Sequence, residues 1–414
     1  MSLTPSRPPM PSGWVVVFLS LLLGVQPLAT DLYLPALPSI TAAFAAPMAK
    51  VQATLSALLL AFGVAQLVWG PVSDRFGRRP VLLTGLAAYT LASVGSALAS
   101  SVEQLIVWRI VQGAAMGAAV MGARAIVRDL YGPTEGARMM SKGLSGLGLF
   151  ACASGPLGGW LTEHLGWRAA LAALAVFGAV ALALVAWRFR ETLPQRNPQA
   201  LKPAEMLRIW ARIARHPTFW AWALLAATSY GGLFTFLATS SFVFINVLGH
   251  SKTGYGLLML SMSSVYIAGT FLCRRLIPRL GVRRTVALAA GFTLTGGLLA
   301  AGLALAGWHS TWAIMGPFYL FILAHGVHQP CGQSGAVAPF PQAAGAASAL
   351  AGFIMMVTAF GMGLWLGQRM STGADTGVYP LTEGLGFWGL AIALVAWTLV
   401  QRHGEVRSTP AAAR

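Results

Sequence analysis

Gly70-Pro71-Val72-Ser73-Asp74-Arg75-Phe76-Gly77-Arg78-Arg79 joins two apolar runs, residues 51–73 and 80–99. Each run is long enough to cross ~30 Å of hydrocarbon as a helix. The charged string between them has room only for a turn, and Gly70 and Gly77 allow close helix approach and a tight reversal. Asp74 is placed to accept hydrogen bonds from an adjacent helix N-terminus. Arg75, Arg78 and Arg79 can pair with acids on the next loop of the same side, such as Asp129 and Glu135. A turn that only held positive charge on one face would not need so many constrained positions.

The same alternation continues in both directions. Hydrophobic residues make up 56% of the 414 and charged residues 9%, with a mean hydropathy of +0.68. A soluble domain carries about a quarter charged residues, so this chain cannot cover itself with a wetted surface. The 47 glycines and 23 prolines would ruin a soluble bundle but are tolerated in membrane helices. The pattern predicts an all-α polytopic membrane protein of twelve transmembrane helices. The expected spans are 14–37, 51–73, 80–99, 104–124, 139–161, 167–188, 218–243, 255–277, 284–306, 311–335, 343–366 and 381–400. Trp14 onward reads as a retained first span, because one Arg precedes it and no small-residue cleavage site follows.

A net charge of +17 could suggest a nucleic-acid partner, but its distribution does not. With the N-terminus inside, Lys50, Arg168, Lys252 and Arg369 fall outside and Arg109 within a span. The rest of the 28 Lys and Arg, from Arg7 to the tail, fall on the cytoplasmic side. That is the positive-inside asymmetry, and it places both termini in the cytoplasm. The implied partners are a lipid bilayer and a small molecule, with no nucleic acid. Cys152, Cys273 and Cys331 are odd in number and scattered, which suits core packing and neither a disulfide framework nor a metal site.

Arg279-Leu280-Gly281-Val282-Arg283-Arg284 follows the eighth run much as the opening string follows the second. Aligning Gly281 with Gly77 divides the chain nearly in two. The expected organisation is an N-terminal six-helix half (1–188), a cytoplasmic linker (189–216) and a C-terminal six-helix half (217–414). Two pseudo-symmetric halves around a midplane cavity is a transporter plan, though basic turns after inward-going helices would look similar.

Asp31, in Pro27-Leu28-Ala29-Thr30-Asp31-Leu32-Tyr33-Leu34-Pro35, is the one carboxylate well inside an apolar run. A charge there costs several kcal/mol, roughly, so it must be paired, protonated or wetted. Asp31 lies roughly 25 Å along its span, and Arg109 roughly 8 Å from the outer end of its own. Both therefore fall in the outer half of the bilayer. Burial favours a neutral acid and a nearby cation favours the carboxylate, so a site held between the two can load and release a proton. A structural hydrogen bond for Asp31, and snorkelling of Arg109 to the headgroups, are the plainer readings. Against snorkelling, Arg109, Gln112, Gly113, Met116 and Val120 share one helical face, as a cavity-lining stripe would.

His325 and His328 stand three apart beside Gln329, too few ligands for a metal site. They read as satisfied core residues or as a lining of the substrate cavity that titrates there. Tyr230, Phe234, Phe236 and Met355 sit at helical spacing, which suits helix–helix core or soft contacts to a lipophilic ligand. Tyr33 joins them as a candidate contact. No Gly-x-x-x-x-Gly-Lys-Ser/Thr phosphate loop occurs, and scattered Ser and His make no nucleophile constellation, so neither an ATPase nor a membrane enzyme is expected.

The opening string resembles motif A of the major facilitator superfamily. Arg109-Ile110-Val111-Gln112-Gly113 is similar to its motif B, and Gly155-Pro156-Leu157-Gly158-Gly159 to the antiporter motif C. Thr30 to Pro38, Arg124 to Asp129 and the stretch from Pro339 to Leu350 most resemble the bicyclomycin/chloramphenicol-resistance (Bcr/CflA) branch of drug:proton antiporters. The resemblance implies an efflux antiporter of the bacterial inner membrane, working as a monomer with protons as coupling ion and no cofactor. Asp31 takes the place of the proton-coupling acid and Arg109 that of its cation. Asp74 would latch the halves, with Asp129 and the motif arginines behind it, and Gly155 and Pro156 would bend their helix. A transporter of one defined metabolite on the same fold is the alternative. Two departures are Pro278 where the second half would match Asp74, and Ala151 where motif C has glycine.

Overall fold

A computed structural model describes residues 10–371 and 377–405. Arg7, Arg407, Arg414 and the two chain ends whose side of the membrane was inferred above lie outside the described residues. The first helices are α1 (Ser12–Asp31), α2 (Leu37–Phe44), α3 (Met48–Phe76), α4 (Arg78–Ala97), α5 (Val102–Leu130), α6 (Pro133–His164) and α7 (Trp167–Arg188). Then come α8 (Pro203–Ala214), α9 (Pro217–Ser241), α10 (Lys252–Leu305), α11 (Thr311–Val337), α12 (Ala344–Ser371), α13 (Tyr379–Trp397) and the short α14 (Leu399–His403). No strand occurs among the described residues.

Ten of these helices, some counted with the short turns that extend them, are long and apolar enough to cross a membrane. Two differences from the expected twelve have physical causes. Runs eight and nine form one element, α10, with two arms joined at Gly281, whose φ of 75° and ψ of 164° are not helical. Run ten forms α11, whose His325, His328 and Gln329 lower its hydropathy; all three are buried, so the helix keeps its polar groups away from lipid. With the two arms of α10 counted separately and α11 added, the described helices supply a segment for each of the twelve expected runs.

The described chain divides into two compact units, residues 1–206 with 250–260, and residues 207–249 with 261–414. In the first, α3 packs on α5, α1 on α6, and α4 on both α5 and α7. In the second, α9 packs against α11, α12 and α13. Ser101 and Ser310 begin α5 and α11 as N-caps, accepting from Gln104 N and Ala313 N at 3.2 Å each.

The internal repeat is written in the backbone. Gly77 turns the chain between α3 and α4 with φ 107° and ψ 161°, nearly the conformation of Gly281. A positive φ of this kind is open to glycine and strained for other residues. At the matching positions two residues on, Arg79 and Arg283 each donate to a carbonyl near the end of their unit's last long helices. The acceptors are Ala186 at 2.9 Å and Gln401 at 2.8 Å.

One local expectation is corrected. The first span is not one helix to residue 37: α1 ends at Asp31, and a 3₁₀ turn, Leu34–Ala36, precedes α2. Pro35 and Pro38 have no N–H to give an α-helix and clash with the preceding turn, so the break follows from sequence. α6 runs through Gly155-Pro156 to His164 as one helix. The glycines there allow close packing. A Cβ on Gly155 would lie 2.7 Å from that of Met259, one on Gly256 would meet Gly155 O at 2.5 Å, and one on Gly158 would meet Leu32 O at 2.2 Å.

α5 packs closely on α3, where a Cβ on Gly113 would sit 2.1 Å from Leu58 O, a backbone atom that cannot swing away. Gly113→Ala is expected to cost about 1–3 kcal/mol through overpacking. Gly148→Ala, with nothing within 4 Å, should be neutral or mildly stabilising. Thermal unfolding of the two variants in detergent checks the contrast.

Candidate functional site

Asp31 is the last residue of α1, so the helix break sets its carboxyl at a helix end; it is half-buried. Thr30 Oγ1 donates to its Oδ1 at 2.8 Å. Last-turn carbonyls lack intrahelical donors, and Arg109 on α5 supplies one, its Nη2 donating to Ala29 O at 2.8 Å. Arg109 is 0% exposed, which excludes a snorkelled side chain. Its Nη1 donates to Gln112 Oε1 at 2.5 Å, and its guanidinium lies over the Tyr33 ring, 4.2 Å from the centroid. No ion pair joins Arg109 to Asp31; the two meet through the backbone of α1.

The network extends to α4 and α3. Gln112 Nε2 donates to Ser93 Oγ at 2.6 Å, and Ser93 donates to Tyr89 O at 2.7 Å. Thr54 gives its proton to Val51 O, so the Tyr33 hydroxyl, 2.7 Å from Thr54 Oγ1, is the donor there. Arg109 Nε and the Tyr89 hydroxyl are left without a partner among the described residues. Within the first unit the stripe on α5 is buried. Gly113 is pressed on α3, Met116 is 0% exposed, and Gln112 and Tyr33 spend their polar groups on protein.

Around the opening string, Arg78 is buried beneath the turn. It donates from Nε to Asp129 Oδ2 at 2.7 Å, and from Nη1 to Asp74 Oδ1 at 2.7 Å and Ser73 Oγ at 2.9 Å. Arg128 also reaches Asp74, at 3.2 Å. The expected pairing with Asp129 is present; Glu135 makes no ion pair among the described residues. Arg75 lies over the Phe76 ring, and Gly70 has only Met121 nearby.

Sequence reasoning missed Glu191. Its Oε1 accepts from the backbone N–H of Arg78, Thr192 and Leu193 at 2.9, 3.0 and 3.0 Å, and its Oε2 from Arg79 N at 3.1 Å. It caps α4 from the far end of the unit, and a Cβ on Gly77 would meet its Oε2 at 2.6 Å. The available signal was an acid directly after the sixth apolar run, in a predominantly basic connector. Partial burial works against its ionisation, but the four N–H donors outweigh that and hold the carboxyl below the ordinary glutamate range.

In the second unit, Tyr230, Phe234, Phe236, His325, His328 and Met355 are all buried. Phe236 stacks on Phe318 with centroids 3.7 Å apart, which makes it helix–helix core. His325 Nδ1 lies 2.8 Å from Ser229 Oγ and its ring 5.7 Å from Tyr266. The His328 ring has no side-chain partner and faces the backbone of Val286. No group of three or more His, Cys, Asp or Glu able to hold a metal occurs among the described residues. Cys273 and Cys331 are buried free thiols with Sγ atoms 3.8 Å apart.

The sequence pattern of the Major Facilitator Superfamily matches residues 19–365. The chain is 33% identical to a chloramphenicol resistance protein of Pseudomonas aeruginosa over 333 residues, 78% of this chain and 76% of that one. It is 29% identical to multidrug resistance protein D of Escherichia coli strain K12, covering 82% and 84% of the two chains. With a bicyclomycin resistance protein homolog of Haemophilus influenzae it shares 26% identity, covering 95% and 97%. Among solved structures, a D-xylose-proton symporter matches with a TM-score of 0.71 at 16% identity, over 94% of this chain and 99% of that one.

Glu191→Gln keeps one acceptor but turns an amide N–H₂ toward Arg79 N, so it should destabilise by about 1–2 kcal/mol at pH 7. Because the folded carboxyl ionises below its unfolded range, its contribution is full above that range and is lost as pH falls through the lowered value. The gap in melting temperature between wild type and Glu191→Gln should therefore close on acidification.

Proposed function

The chain belongs to the major facilitator superfamily, in its bicyclomycin/chloramphenicol-resistance branch, and on that premise we propose that it exports drugs or other small, mostly lipophilic compounds in exchange for protons. The observation that carries this reading is the placement of Asp31. It is a half-buried carboxyl at a helix break, two residues from the carbonyl held by a buried cation. Because Arg109 is not salt-bridged to it, protonation of Asp31 has no ion pair to break. Gaining a proton changes the net charge beside a fixed guanidinium, and that change is what biases one conformation over another. Asp31 is deprotonated when drug enters from the cytoplasmic side and protonated from outside as drug leaves. The arrangement of basic residues supports an inner-membrane location with both termini cytoplasmic, and the chain works as a monomer with no cofactor.

In everted vesicles, drug accumulation driven by ΔpH should fall at least about tenfold for Asp31→Asn, as expected for loss of an essential proton-transfer group. Transport by the wild type that persists undiminished after ΔpH is dissipated would refute the coupling.

His328 is a fully buried imidazole of the second unit with no side-chain partner, and on this reading it is a candidate ligand contact. His328→Leu is expected to leave the melting temperature unchanged or raised while altering the resistance spectrum. His325→Leu, which gives up the Ser229 bond, should cost about 1 kcal/mol. An unaltered spectrum for His328→Leu would make that residue structural.

A further inference from the structure

A recess lies in the first unit where the starts of α1 and α4 approach the end of α7. It has a volume of about 620 Å³, and its walls include Trp14, Trp187, Arg79, Arg188, Arg190 and Glu191. Its charge is not balanced. The Glu191 carboxylate is saturated by four backbone N–H groups. The Arg79 guanidinium donates to the neutral carbonyl of Ala186. Arg188 lies over the rings of Trp187 and Trp14, 4.2 and 5.6 Å from their centroids. Neither Arg188 nor Arg190 forms an ion pair among the described residues.

The depth of the recess identifies its solvent. Trp14 stands in the first turn of the apolar α1 and Trp187 in the last turn of the apolar α7, where tryptophans mark the boundary between hydrocarbon and headgroups. Guanidinium groups grip phosphate oxygens bidentately, and basic recesses between membrane helices at this level suit anionic lipid headgroups. Val17 on α1 and Val176 and Val180 on α7 are exposed, giving acyl chains an apolar surface beside the same two helices. We infer that this recess binds the headgroup of an anionic phospholipid from the leaflet at that end of the helices, with Arg188 and Arg190 as its phosphate ligands. Inorganic phosphate shares the headgroup chemistry but gains nothing from the tryptophans and valines.

Native mass spectrometry of the full chain, titrated with phosphatidylglycerol, phosphatidylcholine or inorganic phosphate, tests this. Wild type should retain phosphatidylglycerol over phosphatidylcholine. The double variant Arg188→Gln/Arg190→Gln should lose about ten- to thirty-fold of that affinity, and Arg188→Lys/Arg190→Lys much less. Should the glutamine variant fail to fold, wild type alone decides: phosphatidylglycerol must raise its melting temperature where phosphatidylcholine and inorganic phosphate do not. Equal retention of both lipids, an unaffected glutamine variant, or displacement of lipid by millimolar phosphate would overturn the assignment.

Discussion

A guanidinium taken out of water costs several kcal/mol unless protein atoms replace its hydration. Arg109 meets that demand with neutral groups: the Ala29 carbonyl, the Gln112 amide and the Tyr33 ring face. Each partner carries its own constraint. Ala29 is available because α1 ends two residues later, and the prolines at 35 and 38 keep it from continuing as one α-helix. Gln112 is oriented by Ser93 on α4, and Tyr33 by Thr54 on α3. One cation thus fixes where four helices meet, and it leaves the neighbouring carboxyl outside the bonded set.

The turn between α3 and α4 follows the same logic at the unit's end. Gly77 turns with a positive φ, Arg78 folds back under the turn onto Asp74 and Asp129, and Glu191 returns from beyond α7 to cap α4. The second unit reproduces the glycine and the following arginine, with Arg283 pairing Glu405 near the chain's end. It lacks the acid, since Pro278 stands at the position of Asp74. The device that ties the last long helix to the turn is therefore kept in both units. The acidic cluster belongs to the first alone.

Much of this was legible. Apolar run length located the spans, and the spacing of Gly77 from Gly281 exposed the repeat, because both signals depend on local chain chemistry. What stayed hidden depends on which side of a helix meets which neighbour. Met116 and Gln112 fall on one face with Arg109, and that face is buried within the unit, because Gly113 lets α3 come within contact of the α5 backbone. Phe236 has the look of a soft ligand contact until Phe318, far away in sequence, stacks on it. Glu191 carries no motif of its own; its meaning lies in four N–H groups, two of them more than a hundred residues earlier in the chain. Gly155-Pro156 reads as a helix breaker in isolation, but the missing N–H of a proline is tolerated where neighbouring helices pack closely around it.

The two units differ in how they handle polarity, and the difference bears on exchange. In the first, Arg109 is held by neutral partners and the half-buried Asp31 is tied only to Thr30. An acid locked in a salt bridge would resist protonation in every conformation, whereas one with a single hydroxyl partner can change state without dismantling the fold around it. The second unit buries aromatic and sulfur-bearing side chains together with hydroxyls such as Ser229, Thr235 and Ser240 and the polar groups of His325, His328 and Gln329. On the proposed reading, soft walls of this kind discriminate weakly among lipophilic shapes, and the acid and the cargo surface reside on different helices. Coupling then requires no direct contact between proton and drug; it requires only that both be bound more tightly by different members of one pair of conformations.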